Sequence, residues 1–212
     1  MRDCLRLTEL MCARMCHDLG GPLGSLTGTI ELSQGHPEPT ALTEAAAAAE
    51  ELSRRLRLLR AAWGGNGGRL DLPRLRELAR GAPGADRMEV DLTALPRGTV
   101  FAPGIGRILL NLLLFGPETL PRGGRLSLSA LDESGIVVRI AGPRAAWPSG
   151  FALYLTNPDA AFAALGGPRS VLGPWIALLA AQLEVRAALL LSSGTGRGAG
   201  PAPLLLQQAA RA

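Results

Sequence analysis

The chain has 212 residues, 47% of them hydrophobic and 4% aromatic, with a formal charge of +4, which is enough for a proper core in one or two domains. All 22 of its basic residues are arginine, which excludes a P-loop lysine, a Schiff-base lysine and a kinase-type strand lysine together. The arginines are scattered among acids without a dense run or aromatic platforms, so the charge reads as solvated surface rather than a nucleic-acid footprint.

The first predicted helix covers residues 3–33. Apolar residues at Cys12, Cys16, Leu19, Leu23, Leu26 and Ile30 alternate steps of four and three, the spacing of a seam in a helical bundle. His17 follows the seam by one residue, about 100° around the helix, and so looks sideways out of it. Ala13, Gly20, Gly21 and Gly24 share its face, with Leu10 and Arg14 at the margin. Three glycines within five positions cost a helix about 1 kcal/mol each against alanine, so clearing that face has some other use. Pro22 lies inside the pattern and should bend the helix one turn beyond His17.

All three cysteines, Cys4, Cys12 and Cys16, fall on this helix, which is poor disulfide material and points to a reducing, cytoplasmic compartment. Cys12-x-x-x-Cys16-His17 is one residue too long for a haem attachment site, so Cys12 and Cys16 read as buried small hydrophobes on the stripe. Arg2, Asp3, Arg6 and Glu9 interrupt any apolar leader, and no stretch reaches the roughly 18 apolar residues of a membrane span.

A turn at residues 35–39 holds the second histidine, His36, which reads as solvated. A second helix starts with Thr40 as N-cap and carries Ala45, Ala49, Leu52, Leu56, Leu59 and Trp63 in the same four–three steps. Two such helices with a short loop make an antiparallel hairpin. One hairpin buries little alone, so a homodimer closing a four-helix bundle is expected. The Gly64-Gly65-Asn66-Gly67-Gly68 run divides the chain into residues 1–66 and 67–212.

Beyond it the pattern predicts a helix over 70–80, strands over 88–92 and 98–102, and a helix over 103–120. A β-hairpin follows over 125–131 and 135–141, then helices over 158–165 and 170–183. Strands over 185–191 and 203–206 close the chain across the loop 194–200. Although glycine-rich, that loop links two strands rather than opening a helix, so it reads as a plain connection and not a phosphate cradle. The order suggests an α+β sandwich, one sheet with helices on one face.

His17-Asp18-x-x-x-Pro22-Leu23 on the first helix of a hairpin resembles the H-box of sensor histidine kinases, and the α/β domain after it resembles their ATP-binding domain. The run Arg14-x-Cys16-His17-Asp18-Leu19-x-x-Pro22-x-Gly24, with Gly167-Pro168-Arg169-Ser170 before an apolar helix, is more similar to the ChpT-type histidine phosphotransferases. The resemblance implies a dimeric four-helix bundle followed by a degenerate kinase-ATPase-like domain. Its departures imply no bound ATP: Phe115 stands where the inner N-box metal ligand belongs, although Asn111 remains. Ala141-Gly142-Pro143-Arg144-Ala145 replaces the loop whose carboxylate would read adenine.

On this resemblance His17 is the phosphoacceptor, its imidazole the nucleophile. It would take phosphate from the receiver domain of a hybrid histidine kinase and pass it to one or more response regulators. Asp18 would serve as acid/base or electrostatic tuner. Arg14 would contact phosphate or the receiver, or else pair with Asp18 on the surface. The face of Leu10, Ala13, Gly20, Gly21 and Gly24 would receive the partner. No cofactor or metal is expected on this chain, Mg²⁺ arriving with the receiver, and neither nucleic acid nor membrane is an expected partner. An active kinase fragment and a dimeric adaptor that never carries phosphate are the rival readings.

Overall fold

The computed structural model describes residues 2–33, 39–65, 68–131, 135–190 and 200–208. His36, the glycine-rich stretch 194–199 and the centre of the 64–68 break lie outside them. Helix α1 (Arg2–Ser33) and helix α2 (Pro39–Trp63) pack along each other. Trp63, at the end of α2, shares a groove with Leu7 and Thr8 near the start of α1, so the two run antiparallel. Pro22 is accommodated within α1, which continues to Ser33. Thr40 is not a cap: α2 begins at Pro39, whose fixed φ suits a first helical turn.

After α2 come β1 (Leu70–Asp71), α3 (Leu72–Ala79), β2 (Met88–Ala94), β3 (Val100–Phe101), α4 (Pro103–Leu114), α5 (Gly116–Thr119), β4 (Gly124–Ala130) and β5 (Gly135–Ala141). Then follow α6 (Phe151–Thr156), α7 (Pro158–Ala163), α8 (Leu172–Gln182), β6 (Val185–Leu189) and β7 (Leu204–Gln208). Most boundaries obey local chemistry. Residues 70 and 71 are extended rather than helical because Asp71 is itself the N-cap of α3, accepting from the Arg74 amide at 2.9 Å. Asn157 caps α7 in the same way. The helix expected over 103–120 breaks at Phe115, since Pro117 offers no amide to continue it and its ring crowds the preceding turn. The strand expected over 98–102 shrinks to a two-residue pair with β1, and α6 had no counterpart in the sequence reading.

The main sheet has the order β2-β4-β5-β7-β6, with β2 and β4 parallel and the other neighbours antiparallel. Leu126, Leu128, Ile136, Val138, Ile140, Leu204 and Leu206 alternate onto one face and join the core. Helices α4 and α8 lie over β7 and β6 on that side. The opposite face carries Glu89, Arg125, Ser127, Ser129 and Arg139, with Val137 and Leu205 buried beside them. This is the α+β arrangement with one covered face that the element order implied. No helix among the described residues is long and apolar enough to cross a membrane.

Two close approaches seat the helical pair on this domain. The Arg55 Nε of α2 donates to the Gly81 carbonyl at 2.7 Å, and a Cβ at Gly81 would sit 2.3 Å from the Arg54 carbonyl oxygen. Further along, fully buried Asn111 on α4 accepts indole N–H bonds from Trp63 of α2 at 2.8 Å and from Trp175 of α8 at 2.9 Å. Its own amide donates to the Arg107 carbonyl at 2.8 Å. One side chain therefore clasps three helices. Replacing it by leucine (Asn111→Leu) strips both indoles of their acceptor and is expected to lower the unfolding free energy by about 2–4 kcal/mol in urea titrations; a loss below about 0.5 kcal/mol would contradict the clasp.

Candidate functional site

The face of α1 turned to the protein differs from the one its apolar spacing predicts. Leu7, Leu10, Met11 and Leu19 pack against the core, and Arg14 and Asp18 are buried beside them. Cys12 and Cys16, expected to be buried, are exposed in the single chain, as is Cys4. The helix is rotated because a polar pair can be buried if it is neutralised. Arg14 meets that condition: its Nε donates to both Asp18 oxygens at 3.1 and 3.0 Å, and its Nη1 donates to Glu118 on α5 at 2.8 Å and to the Pro168 carbonyl at 3.3 Å. The pair is thus buried, not on the surface, and the Arg14 guanidinium is turned toward α5 and the loop before α8.

His17 stands on that outer face, its side chain 55% exposed, with Nδ1 3.3 Å from Asp18 Oδ1. Although the two residues are adjacent in sequence, their side chains meet. Asp18, ion-paired with Arg14, offers only acceptors, so in the neutral ring the proton sits on Nδ1 and the lone pair on Nε2. Ala13, Gly20, Gly21 and Gly24 are exposed around it, and a Cβ built on any of the three glycines would meet nothing within 4 Å. Leu10 does not share this face, being half-buried against the core. The glycines are therefore not demanded by packing within this chain. The result is a nucleophilic nitrogen on an open helix face, backed by a carboxylate whose position is fixed from below.

Glu118 escaped the sequence reading, and Pro168 entered it only within the Gly167-Pro168-Arg169-Ser170 run, with no role at the site. Glu118 sits one turn past the α4 break, and the Pro168 carbonyl belongs to the loop before α8. The signal for Glu118 was present: it is the lone acid between Asp91 and Asp132, within an otherwise apolar and basic stretch. Burial pushes the Glu118 carboxyl above its ordinary value of 4.5, against the pull of Arg14. Burial also works against the Arg14 charge, but the Glu118 and Asp18 carboxylates outweigh it and hold the guanidinium above its ordinary value.

Of the positions set against kinase boxes, Phe115 and Asn111 lie in the interior and Gly142 is exposed. Phe115 is fully buried and packs on Phe151, with ring centroids 5.6 Å apart, while Asn111 is held by the two indoles. Gly142, at φ 158°, lies so close to Gly123 and Gly124 that a Cβ would meet their backbone at 2.6–2.8 Å. Among the described residues no group of three or more His, Cys, Asp or Glu side chains could hold a metal ion.

Because the Glu118 pKa is raised on folding, the native state binds its proton more readily than the unfolded chain above pH 4.5. Wild-type stability should therefore fall with rising pH, relative to Glu118→Gln, from pH 4.5 up through the raised native value. Paired urea titrations between pH 4 and 7 check this, and parallel curves would refute the assignment.

Comparison with known proteins finds likenesses to phosphotransferases. Residues 72–191 match the family model of the histidine phosphotransferase C-terminal domain. Protein phosphotransferase ChpT of Brucella abortus (strain 2308) is 30% identical over 132 residues, which cover 58% of this chain and 60% of that relative. The 1.7 Å structure of a bacterial phosphotransferase shares the fold at a TM-score of 0.69 and 22% identity, over 95% of each chain.

Proposed function

This chain belongs to the family of the histidine phosphotransferase C-terminal domain, and from that premise we propose that it is a phosphorelay carrier with His17 as its phosphoacceptor. The observation that carries the reading is the Arg14–Asp18–His17 arrangement, an exposed imidazole whose Nδ1 faces a carboxylate that is itself anchored. Nε2 attacks the phosphorus of a receiver's aspartyl-phosphate. The N–P bond forms as the P–O bond to the receiver carboxylate breaks, and that carboxylate leaves. The Nδ1 proton stays directed at Asp18, whose charge stabilises the cationic ring as it forms. The reverse step delivers the group to a second receiver's aspartate. Arg14 acts through Asp18, and Mg²⁺ enters with the receiver.

The glycine face supports close approach by such a domain, since nothing of this chain occupies it. Leu5, Leu23, Ile30, Leu32 and Leu42 remain exposed on the helical pair, 85% in the case of Leu32. That much uncovered apolar surface supports a homodimer in which two pairs close a four-helix bundle. The residues 1–66 and 67–212 act as hairpin and sheet domains joined near 64–69. Phe115 and Asn111 in the interior support a domain that does not bind ATP in the manner of a kinase. A reducing, cytoplasmic setting suits the free cysteines.

Incubation with a radiolabelled, phosphorylated receiver should move label to this chain in an acid-labile, base-stable form, with none on His17→Ala. Stable receiver binding without label transfer would favour the adaptor, and labelling from ATP alone would favour the kinase. The dimer is tested separately. Leu23→Glu combined with Ile30→Glu should halve the mass measured by light scattering, while an unchanged mass would remove the bundle.

A further inference from the structure

On the side of α4 away from the sheet lies a cleft of about 440 Å³ between the end of α2, the start of α3 and the first turns of α4. Five arginines line it: Arg57 and Arg60 from α2, Arg69 from the connection, Arg74 from α3 and Arg107 from α4. No acidic residue is among the lining residues. Glu77 reaches two of the five, lying 3.8 Å from Arg57 and 2.6 Å from Arg74. Among the described residues Arg60, Arg69 and Arg107 have no carboxylate partner. Arg107 is instead oriented by donating from Nε to the Ala62 carbonyl at 3.2 Å, which leaves its outer nitrogens uncommitted to that bond.

Folding alone does not favour this gathering. Like charges converging on one concavity repel, and apolar walls strengthen the field between them. The helix dipole accounts for Arg60 in the last turn of α2. It opposes Arg74, the third residue of α3, where the dipole favours an anion. The first turn of α4, which no side chain caps, borders the same cleft through Pro103 and Gly106. Leu70, Leu78 and Leu110 form an apolar floor.

We propose that this cleft binds a small anion bearing a diphosphate group. Guanidinium forks suit phosphate oxygens, and the volume lies within the range of ligand pockets. The floor admits a planar or apolar body beyond the phosphates. The cleft is separate from the His17 face and from the positions aligned with kinase boxes, since neither Phe115 nor residues 141–145 line it. Because its arginines come from α2, the connection, α3 and α4, an occupant would fasten the helical pair to the sheet domain.

Isothermal titration of the full chain with inorganic pyrophosphate and, separately, with ADP tests this at fixed ionic strength. At least one probe should bind saturably at one site per chain and weaken as salt is raised. Arg60→Gln combined with Arg69→Gln, both exposed positions, should weaken that binding at least tenfold. Tighter binding of ADP would assign a role to the apolar floor, and equal binding would assign recognition to the phosphates alone. Absence of saturable binding by both probes, or unchanged affinity in the double variant, would overturn the proposal.

Discussion

The Arg14 guanidinium is the joint on which the site depends. It is buried, so it must be neutralised, and its carboxylates come from different places: Asp18 one turn further along α1, and Glu118 from α5 of the sheet domain. Removing either carboxylate takes a charge-assisted hydrogen bond from the buried guanidinium, a loss of about 1.5–3 kcal/mol, and leaves the other to neutralise it alone. The same constraint sets the rotation of α1. With Arg14 and Asp18 held inward, His17 faces outward, and its Nδ1 lies 3.3 Å from the carboxylate that Arg14 holds. The sheet domain thus fixes the imidazole's surroundings through Arg14 and Asp18.

That division of labour gives the sheet domain a mechanical task, holding the underside of α1 through Glu118 and the Pro168 carbonyl. Its core is continuous and apolar, with Phe115 fully buried in it against Phe151. Asn111 remains polar because two indoles need an acceptor there. The sheet's covered face thus acts as a rigid mount, placing α5 and the loop before α8 under the first helix.

Much of this was legible in the sequence where the governing interactions are local. The helical pair announced itself through four–three spacing, and the hairpin of β4 and β5 through alternation. What failed was direction. Apolar spacing put Cys12 and Cys16 inside and left Arg14 at the margin, because a single helix does not reveal that a carboxylate 104 residues away will neutralise an arginine. The caps went astray for a related reason. Asp71 as N-cap and the break at Phe115 hang on single residues inside longer helix-like runs, and periodicity averages over them. The glycine face was legible as an oddity, and its meaning needed the finding that the space beside it is open.

The strand order carries a consequence for how the domain is assembled. β7 comes last among the described strands yet sits inside the sheet, between β5 and β6. β6, made earlier, touches no other strand. Until residues 204–208 arrive, β6 has nothing to pair with and β5 presents a bare edge whose amides and carbonyls point into solvent. Closure is therefore a late, long-range event. The mount beneath the histidine is finished only when the tail end of the domain threads into its middle, and trimming those five residues would unmake two strands rather than one.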